Sequence, residues 1–408
     1  MAPKRKHLVL SELYLPDKGG HVIWLQEVCR LLGGATVLTA RRPDLPTRER
    51  IDGVDVRRIR LGRWALLRPE SLALYANLAL QGVLAGLREP ADVILAARVL
   101  PEGAVACAVG AALGVPAIVF AHGEEISRLR RDRPLPDRRR LTTAGKRAAL
   151  WAAYRLADRV IANSHFTRGL LVAGGVSPAR VAVIHPGTDA DFFRPLPRDP
   201  RLVSQWGLEG KRVILTLGRL RERKGQDMTL RAMPEILRHV GDAVYVIAGT
   251  GPHEPQLRRL AEALGLAERV RFVGEVAPAQ MPAVYSLADV FVMANRTLTS
   301  RDVEGFGIVF LEAAACGVPV VGGRSGGVGD AVADGQTGLL VDGARPEQIA
   351  RAVVRILGDA QLARRLGEAG RRRVCEGLTW RHSAERVAAL VEEVCRAGRS
   401  GGLRTGSR

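Results

Sequence analysis

Short apolar, β-branched runs alternate with longer stretches of helical period along most of this chain. Strand-like runs fall at residues 7–11, 35–40, 54–61, 92–97, 117–121, 159–163 and 181–185. A second series follows at 213–217, 243–248, 270–273, 290–294, 318–321 and 338–341. Helical patterns separate the strands, at 21–32, 71–87, 102–113 and 148–157 in the first series. In the second they fall at 226–238, 254–264, 278–286, 308–316 and 346–357. Continuous apolar strands set between helices are what a parallel sheet covered on both faces requires. The fold class is therefore α/β, with two doubly wound, Rossmann-like domains.

Proline density and lost periodicity over 186–200 mark a linker. The expected domains are residues 1–190 and 191–378, followed by a closing helix at 379–397. The patterns at 359–374 and 380–396 are strongly amphipathic, and the Gly-, Ser- and Arg-rich tail 398–408 is expected to lack structure.

Composition narrows the class. At 408 residues and 47% hydrophobic content the chain is globular, yet aromatics reach only 4%, so Ala, Val, Leu and Ile must build the core. Five cysteines without a CxxC spacing argue against a disulfide framework or a zinc site, and fit a reducing compartment. The basic start precedes an apolar run too short for a secretory leader. The longest uncharged stretch, 103–122, is cut by Gly114 and Pro116 and is expected to be buried core, not a membrane span.

Net charge is +19, and part of the excess is local. Residues 128–147 hold nine Lys or Arg, among them Arg128, Arg130, Arg131, Arg138, Arg139 and Arg140, against two acids. Such a run suits an anionic membrane surface or plain solvation. Nucleic acid is disfavoured, because no aromatics interleave with the arginines and no zinc-finger or RNP spacing occurs.

Chemistry-bearing clusters fall at the ends of strands, where open α/β sheets take ligands. Gly19 and Gly20 open the first helix and would let backbone approach a phosphate closely; a tight structural turn is the plainer alternative. His122 follows strand 117–121 and precedes Gly123, Glu124 and Glu125; it suits a sugar hydroxyl or developing charge, unless it is a structural histidine. Gly218, Arg219 and Lys224 lie in the loop after strand 213–217, where a bidentate guanidinium and a compact ammonium would neutralise a diphosphate. Glu304 and Glu312 stand eight residues apart, with a Gly-Phe-Gly turn at 305–307 between them. The glycines are expected to leave Glu304 at the helix mouth and Glu312 about one turn inside, beside unpaired backbone N–H groups that suit phosphate. Otherwise the segment is an amphipathic helix with a solvated Glu at each end.

These four clusters, in this order, resemble the retaining glycosyltransferases of family four, with the GT-B fold, over nearly the whole chain. The run 301–309, Arg-Asp-Val-Glu-Gly-Phe-Gly-Ile-Val, is similar to GDP-mannose-dependent phosphatidylinositol-mannoside mannosyltransferases; relatives with other donors share its Glu-Gly-Phe-Gly. The resemblance implies two domains facing across a cleft, with the closing helix crossing back to the first. It implies that Gly20 and its loop contact the donor diphosphate, neutralised by Arg219 and Lys224. Glu304 and the amides of Phe306, Gly307 and Ile308 would hold the donor sugar and phosphates, and Glu312 the ribose. His122 would touch the sugar near its C6 hydroxyl, with the base near Val273 and Gly274. The family needs no divalent metal or other cofactor, and no DxD arrangement suited to one occurs. No carboxylate nucleophile is evident on the opposite sugar face, so retention would proceed by same-face attack.

The expected activity is transfer of a hexose, mannose favoured, from a nucleotide sugar to a glycolipid or lipid-linked glycan. The expected place is cytoplasmic, peripheral on the inner face of the plasma membrane. The alternatives are a UDP-sugar with a soluble acceptor, a nucleotide-sugar epimerase, and a binder without catalysis.

Overall fold

A computed structural model describes residues 5–17, 19–61, 71–129, 137–300 and 302–402. The chain divides into two compact units: Met1–His185 with Trp380–Arg408, and Pro186–Thr379. The second unit thus begins at Pro186, five residues before the expected start at 191.

The first unit opens with β1 (His7–Leu10), α1 (Gly20–Leu32) and β2 (Ala35–Ala40), the two strands pairing parallel. Next come β3 (Arg48–Ile51) and β4 (Val54–Ile59), then α2 (Ser71–Arg88), β5 (Val93–Ala96), α3 (Ala104–Leu113) and β6 (Ala117–Ala121). The unit continues with α4 (Glu124–Leu129), α5 (Asp137–Leu156), β7 (Arg159–Ala162), α6 (His165–Ala173) and β8 (Val181–Val183). Their sheet has the order β3-β4-β2-β1-β5-β6-β7-β8. β1, β5 and β6 are buried along their whole length, as continuous apolar runs predict.

The sheet is not wholly parallel: β3 pairs antiparallel with β4 at one edge. Its sequence, Arg-Glu-Arg-Ile, is half exposed and carries no apolar run, so periodicity gave no sign of it. α5 is also longer than the helical period at 148–157, because its first turns are charged.

The first helix of the second unit is α7 (Pro200–Trp206), which starts at the last residue of the segment expected to be linker. The unit continues through β9 (Arg212–Leu217), α8 (Gln226–His239), β10 (Ala243–Ala248), α9 (Glu254–Ala263), β11 (Val270–Gly274) and α10 (Met281–Ser286). Then come β12 (Val290–Met293), α11 (Ile308–Ala315), β13 (Val320–Gly323), α12 (Val328–Ala331), β14 (Gly338–Val341), α13 (Pro346–Gly358) and α14 (Ala360–Gly377). All six strands run parallel in the order β11-β10-β9-β12-β13-β14.

The closing helix α15 (Trp380–Gly402) belongs to the first unit, where it packs along α1. Trp24 of α1 is buried edge-on against Phe120 and donates Nε1–H to Ser383 Oγ at 2.8 Å. Arg5 grips Glu392 through two N–H groups, and Arg159 meets Glu393 at 2.6 Å. The helix carries on through Gly402, so residues 398–402 of the expected unstructured tail are helical; adding a residue to a formed helix costs far less than starting one. Residues 403–408 lie outside the described part.

Candidate active site

The second sheet turns back between β9 and β12: β10 and β11 lie to one side of β9, and β12, β13 and β14 to the other. Such a switch point leaves a crevice at the carboxyl ends of the two central strands. Residues 218–225 leave β9 there, and residues 294–307 leave β12.

Two glycines fix how closely these loops approach. Gly225 caps α8 at φ +75°, and a Cβ on it would lie 2.0 Å from the Ala294 carbonyl oxygen. Gly326, at φ +56°, would place a Cβ 2.0 Å from the Glu304 carbonyl oxygen, which also accepts Gly327 N–H at 2.9 Å. Backbone, not a movable side chain, fills both spaces, so only glycine fits.

The result is a nearly buried charge cluster. Lys224 Nζ and Arg223 Nη1 each lie 2.6 Å from Glu304 Oε2, and Asn295 Nδ2 donates to the same oxygen at 3.0 Å. Asp302 Oδ1 stands 3.6 Å from Arg223 Nε. Burial alone would raise the Glu304 carboxyl, but the charges of Lys224 and Arg223 and their hydrogen bonds override it and hold the group at about 2. Glu304 is thus ionised at neutral pH. Its Oε1 takes none of those three bonds.

The sign of the resulting pH dependence follows directly. An unfolded glutamate titrates at about 4.3, above the folded value, so this cluster stabilises the unit above that pH and is lost as pH falls toward 2. Acid titration of the melting temperature is expected to drop more steeply between about pH 4 and pH 2 in the unaltered chain than in Glu304→Gln. Parallel curves would contradict the assignment.

Glu312 lies on the fifth residue of α11, one turn inside the helix whose mouth holds Glu304. Tyr285 OH donates to Glu312 Oε2 at 2.6 Å. Burial pushes the Glu312 carboxyl above its ordinary value, with the Tyr285 bond and the Lys224 charge acting against it. The cap of α11 is Gly307, with no side-chain hydrogen bond to the helix; its carbonyl accepts Phe310 N–H at 3.0 Å, while the amides of Ile308 and Val309 have no intrahelical partner. Phe306 is buried in the core under this turn.

The remaining expected residues are distributed as follows. Gly218 directly follows β9, and a Cβ on Gly249 would meet its carbonyl oxygen at 2.1 Å, so the loops after β9 and β10 touch. Arg219 is exposed, and Arg223 joins Lys224 at the Glu304 carboxylate. Val273 and Gly274 end β11, with the Gly274 carbonyl accepting Gly249 N–H at 2.6 Å.

Gly19, Gly20 and His122 belong to the first unit. Gly19 caps α1 without a side-chain hydrogen bond, and Gly20 is its first residue. The loop before them is held by Arg58, which donates to Leu15 O at 2.7 Å, and by the Arg42–Asp17 pair at 2.9 Å. His122 Nε2 lies 2.8 Å from the Ala97 carbonyl oxygen. A carbonyl only accepts, so Nε2 carries a proton. The His122 backbone N–H donates to Glu125 Oε1, which also accepts from Tyr154 OH at 2.7 Å.

Of the basic run, Arg130 and Arg131 lie outside the described residues. Arg128 falls on α4 and Arg138, Arg139 and Arg140 on α5. Arg223, Asn295 and Tyr285 carry no motif of their own. Arg223 is one cation among several in its loop, and Asn295 and Tyr285 become visible only once β12 and α10 are placed.

Known family models match two segments of the chain. Residues 18–192 match the model "Glycosyltransferase Family 4", and residues 200–373 match "Glycosyl transferases group 1". The D-inositol 3-phosphate glycosyltransferase of Thermobifida fusca is 31% identical over 401 residues, covering 92% of this chain and 89% of that one. The chain belongs to glycosyltransferase family 4. Among its relatives, the GDP-mannose-dependent alpha-(1-6)-phosphatidylinositol monomannoside mannosyltransferase of Mycolicibacterium smegmatis is 43% identical over 237 residues. That match covers 58% of this chain and 62% of the relative's length. Among solved structures, Anabaena HepE in complex with UDP-glucose superposes with a TM-score of 0.75 at 21% identity, over 95% of this chain and all of that one. Sucrose-phosphate synthase from Thermosynechococcus elongatus gives 0.76 at 23% identity, over 96% of this chain and all of that one. These neighbours establish the two-domain GT-B fold of the family 4 chain.

Proposed function

We propose that this family 4 glycosyltransferase moves mannose from GDP-mannose to a phosphatidylinositol mannoside, with retention and without a divalent metal. The observation that carries the reading is the 43% identity to the mycobacterial mannosyltransferase, together with a site whose charges suit a nucleotide sugar. Lys224, Arg223 and Arg219 supply the positive charge that a metal ion gives to a leaving diphosphate elsewhere. Glu304 Oε1 accepts from the donor sugar, and Glu312 from the ribose. The departing phosphate oxygen takes the acceptor proton on the same face, so the chain's contribution is positioning and stabilisation of the leaving group. His122, held through Nε2 by the Ala97 carbonyl, presents Nδ1 to a sugar hydroxyl.

The reading places the protein on the cytoplasmic leaflet. No described helix is long and apolar enough to cross a membrane. α5 shows exposed Lys146 and Arg147, and α2, uncharged from 71 to 87, exposes Leu80 and Leu87. Cations with apolar side chains suit the surface of an anionic bilayer.

A second reading, a soluble inositol phosphate acceptor, is favoured by the Thermobifida relative, which aligns over 92% of this chain. The test is incubation with GDP-mannose or UDP-glucose, each with phosphatidylinositol monomannoside or inositol 3-phosphate, in EDTA, with products read by mass spectrometry and anomeric configuration by NMR. An α-mannosylated lipid made in EDTA supports the proposal. Turnover with UDP-glucose alone, an inverted linkage, or recovery only on adding metal overturns the corresponding part. Donor binding without turnover would point to a binder.

A further inference from the structure

The first sheet has its own switch point, between β1 and β5. Where the chain leaves those two strands, Glu12, Arg98 and Glu102 meet. Arg98 Nη2 lies 3.0 Å from Glu12 Oε2 and 3.2 Å from Glu102 Oε1. Glu102 Oε1 also accepts the Glu12 backbone N–H at 2.9 Å, which ties the two strand ends together. The group is one residue from the Ala97 carbonyl that orients His122.

Three features separate it from an ordinary surface ion pair. Glu102 is 0% exposed, and its Oε2 has no hydrogen-bond partner among the described residues. Leaving a carboxylate oxygen so placed costs stability that folding does not return. Arg98 and Glu12 side chains remain 28% and 37% exposed, so the pair faces solvent while its support is buried. Among the described residues Arg98 Nη1 makes no hydrogen bond, which leaves donors beside the Glu12 carboxylate.

The charge balance says what such a group takes. One guanidinium stands against two carboxylates. Burial raises the Glu102 carboxyl, and even with that group neutral the sum reaches only zero. An oxyanion therefore gains no net attraction here, in a chain whose overall charge is +19. A guanidinium N–H next to a carboxylate oxygen instead offers a donor and an acceptor side by side. Adjacent hydroxyls of a ring satisfy both: one donates to Glu12 and the other accepts from Arg98.

We infer that Glu12 and Arg98 bind neutral ring hydroxyls of the acceptor, a sugar or cyclitol, and that Glu102 positions Arg98. This rests on the reading of the chain as a transferase with a polyol acceptor. The acceptor's phosphate is bound elsewhere.

Saturation-transfer NMR on the full chain without donor tests it, with methyl α-mannoside, myo-inositol and inorganic phosphate as separate probes. At least one polyol is expected to receive saturation in the unaltered chain and to lose most of it in Glu12→Gln and Arg98→Gln. Steady-state kinetics with phosphatidylinositol monomannoside are expected to show its KM rising about tenfold or more in both variants, as for loss of a charge-assisted hydrogen bond, with the KM for GDP-mannose unmoved. Glu102→Ala is expected to raise the acceptor KM in the same way, and Glu102→Gln, which keeps an acceptor oxygen for Arg98, to restore it. A general loss of structure would instead move both KM values and the melting temperature together. No polyol signal in the unaltered chain, signals equal in both variants, or a phosphate signal lost in Arg98→Gln would overturn the inference. Polyol binding intact with no turnover from GDP-mannose would sink the transferase reading alone; normal turnover with an unmoved acceptor KM would sink this inference alone.

Discussion

Glu304→Gln is expected to lower kcat by about 10²–10³-fold, the range seen when one preorganised polar group is removed from a transition-state site. Shape is conserved in this substitution and charge is not. Lys224 and Arg223 then face a neutral amide, where both had been paired at 2.6 Å. Removing one partner of a nearly buried ion pair costs about 3–5 kcal/mol, so the melting temperature is expected to fall as well, on the order of 10 °C. Lys224→Met should reduce turnover comparably and lose less stability, since Arg223 and Asn295 still hold the carboxylate. The double variant separates the roles. Its loss of stability is expected to be smaller than the sum of the single losses, because it leaves only Arg223 facing the neutral amide, while its turnover stays as low as that of the worse single variant. Near-normal turnover in Glu304→Gln, with the fall in melting temperature still seen, would reduce the cluster to a structural one.

Gly326→Ala carries the second large effect, through backbone alone. The added methyl would sit 2.0 Å from the Glu304 carbonyl oxygen and 3.0 Å from its carbon, in a residue held at φ +56°. Neither neighbour is the end of a flexible side chain, so the Glu304 segment must move. A misplacement of about 1 Å can cost 10²-fold in rate, and a loss of that size is expected in kcat, together with a lower melting temperature. Gly329→Ala is the control: it lies in α12 three residues on, with open space around its Cβ. It should leave both quantities near their starting values. If Gly326→Ala turned over at the unaltered rate, the turn after β13 would not be what places Glu304.

Much of this site was legible locally. Strand-to-helix alternation is written in short apolar runs, and it placed the carboxyl ends at which residues 218–225, 122–125 and 304–312 lie. The Gly-Phe-Gly turn separated Glu304 from Glu312 because a glycine breaks helical geometry at one point, a property that needs no distant partner. The edge strand β3 escaped because an exposed, charged strand has no apolar period, and α7 because a helix of seven residues after a proline run gives too short a pattern. That Arg223 meets Glu304 was not legible, because it is one cation among several in its loop and only the single turn at Glu222–Lys224 sets its direction.

The sequence by itself determined that two doubly wound domains form and that carboxylates, cations and glycines stand at their strand ends, since periodicity and turn chemistry act within a few residues. Only the tertiary structure decided which of those groups touch. Sheet order sets β9 beside β12 and β1 beside β5, and so brings Lys224 and Glu304, 80 positions apart, and Glu12 and Arg98, 86 apart, within hydrogen-bond reach. Strand neighbours far apart in sequence are chosen by the packing of the whole sheet, which no local pattern encodes.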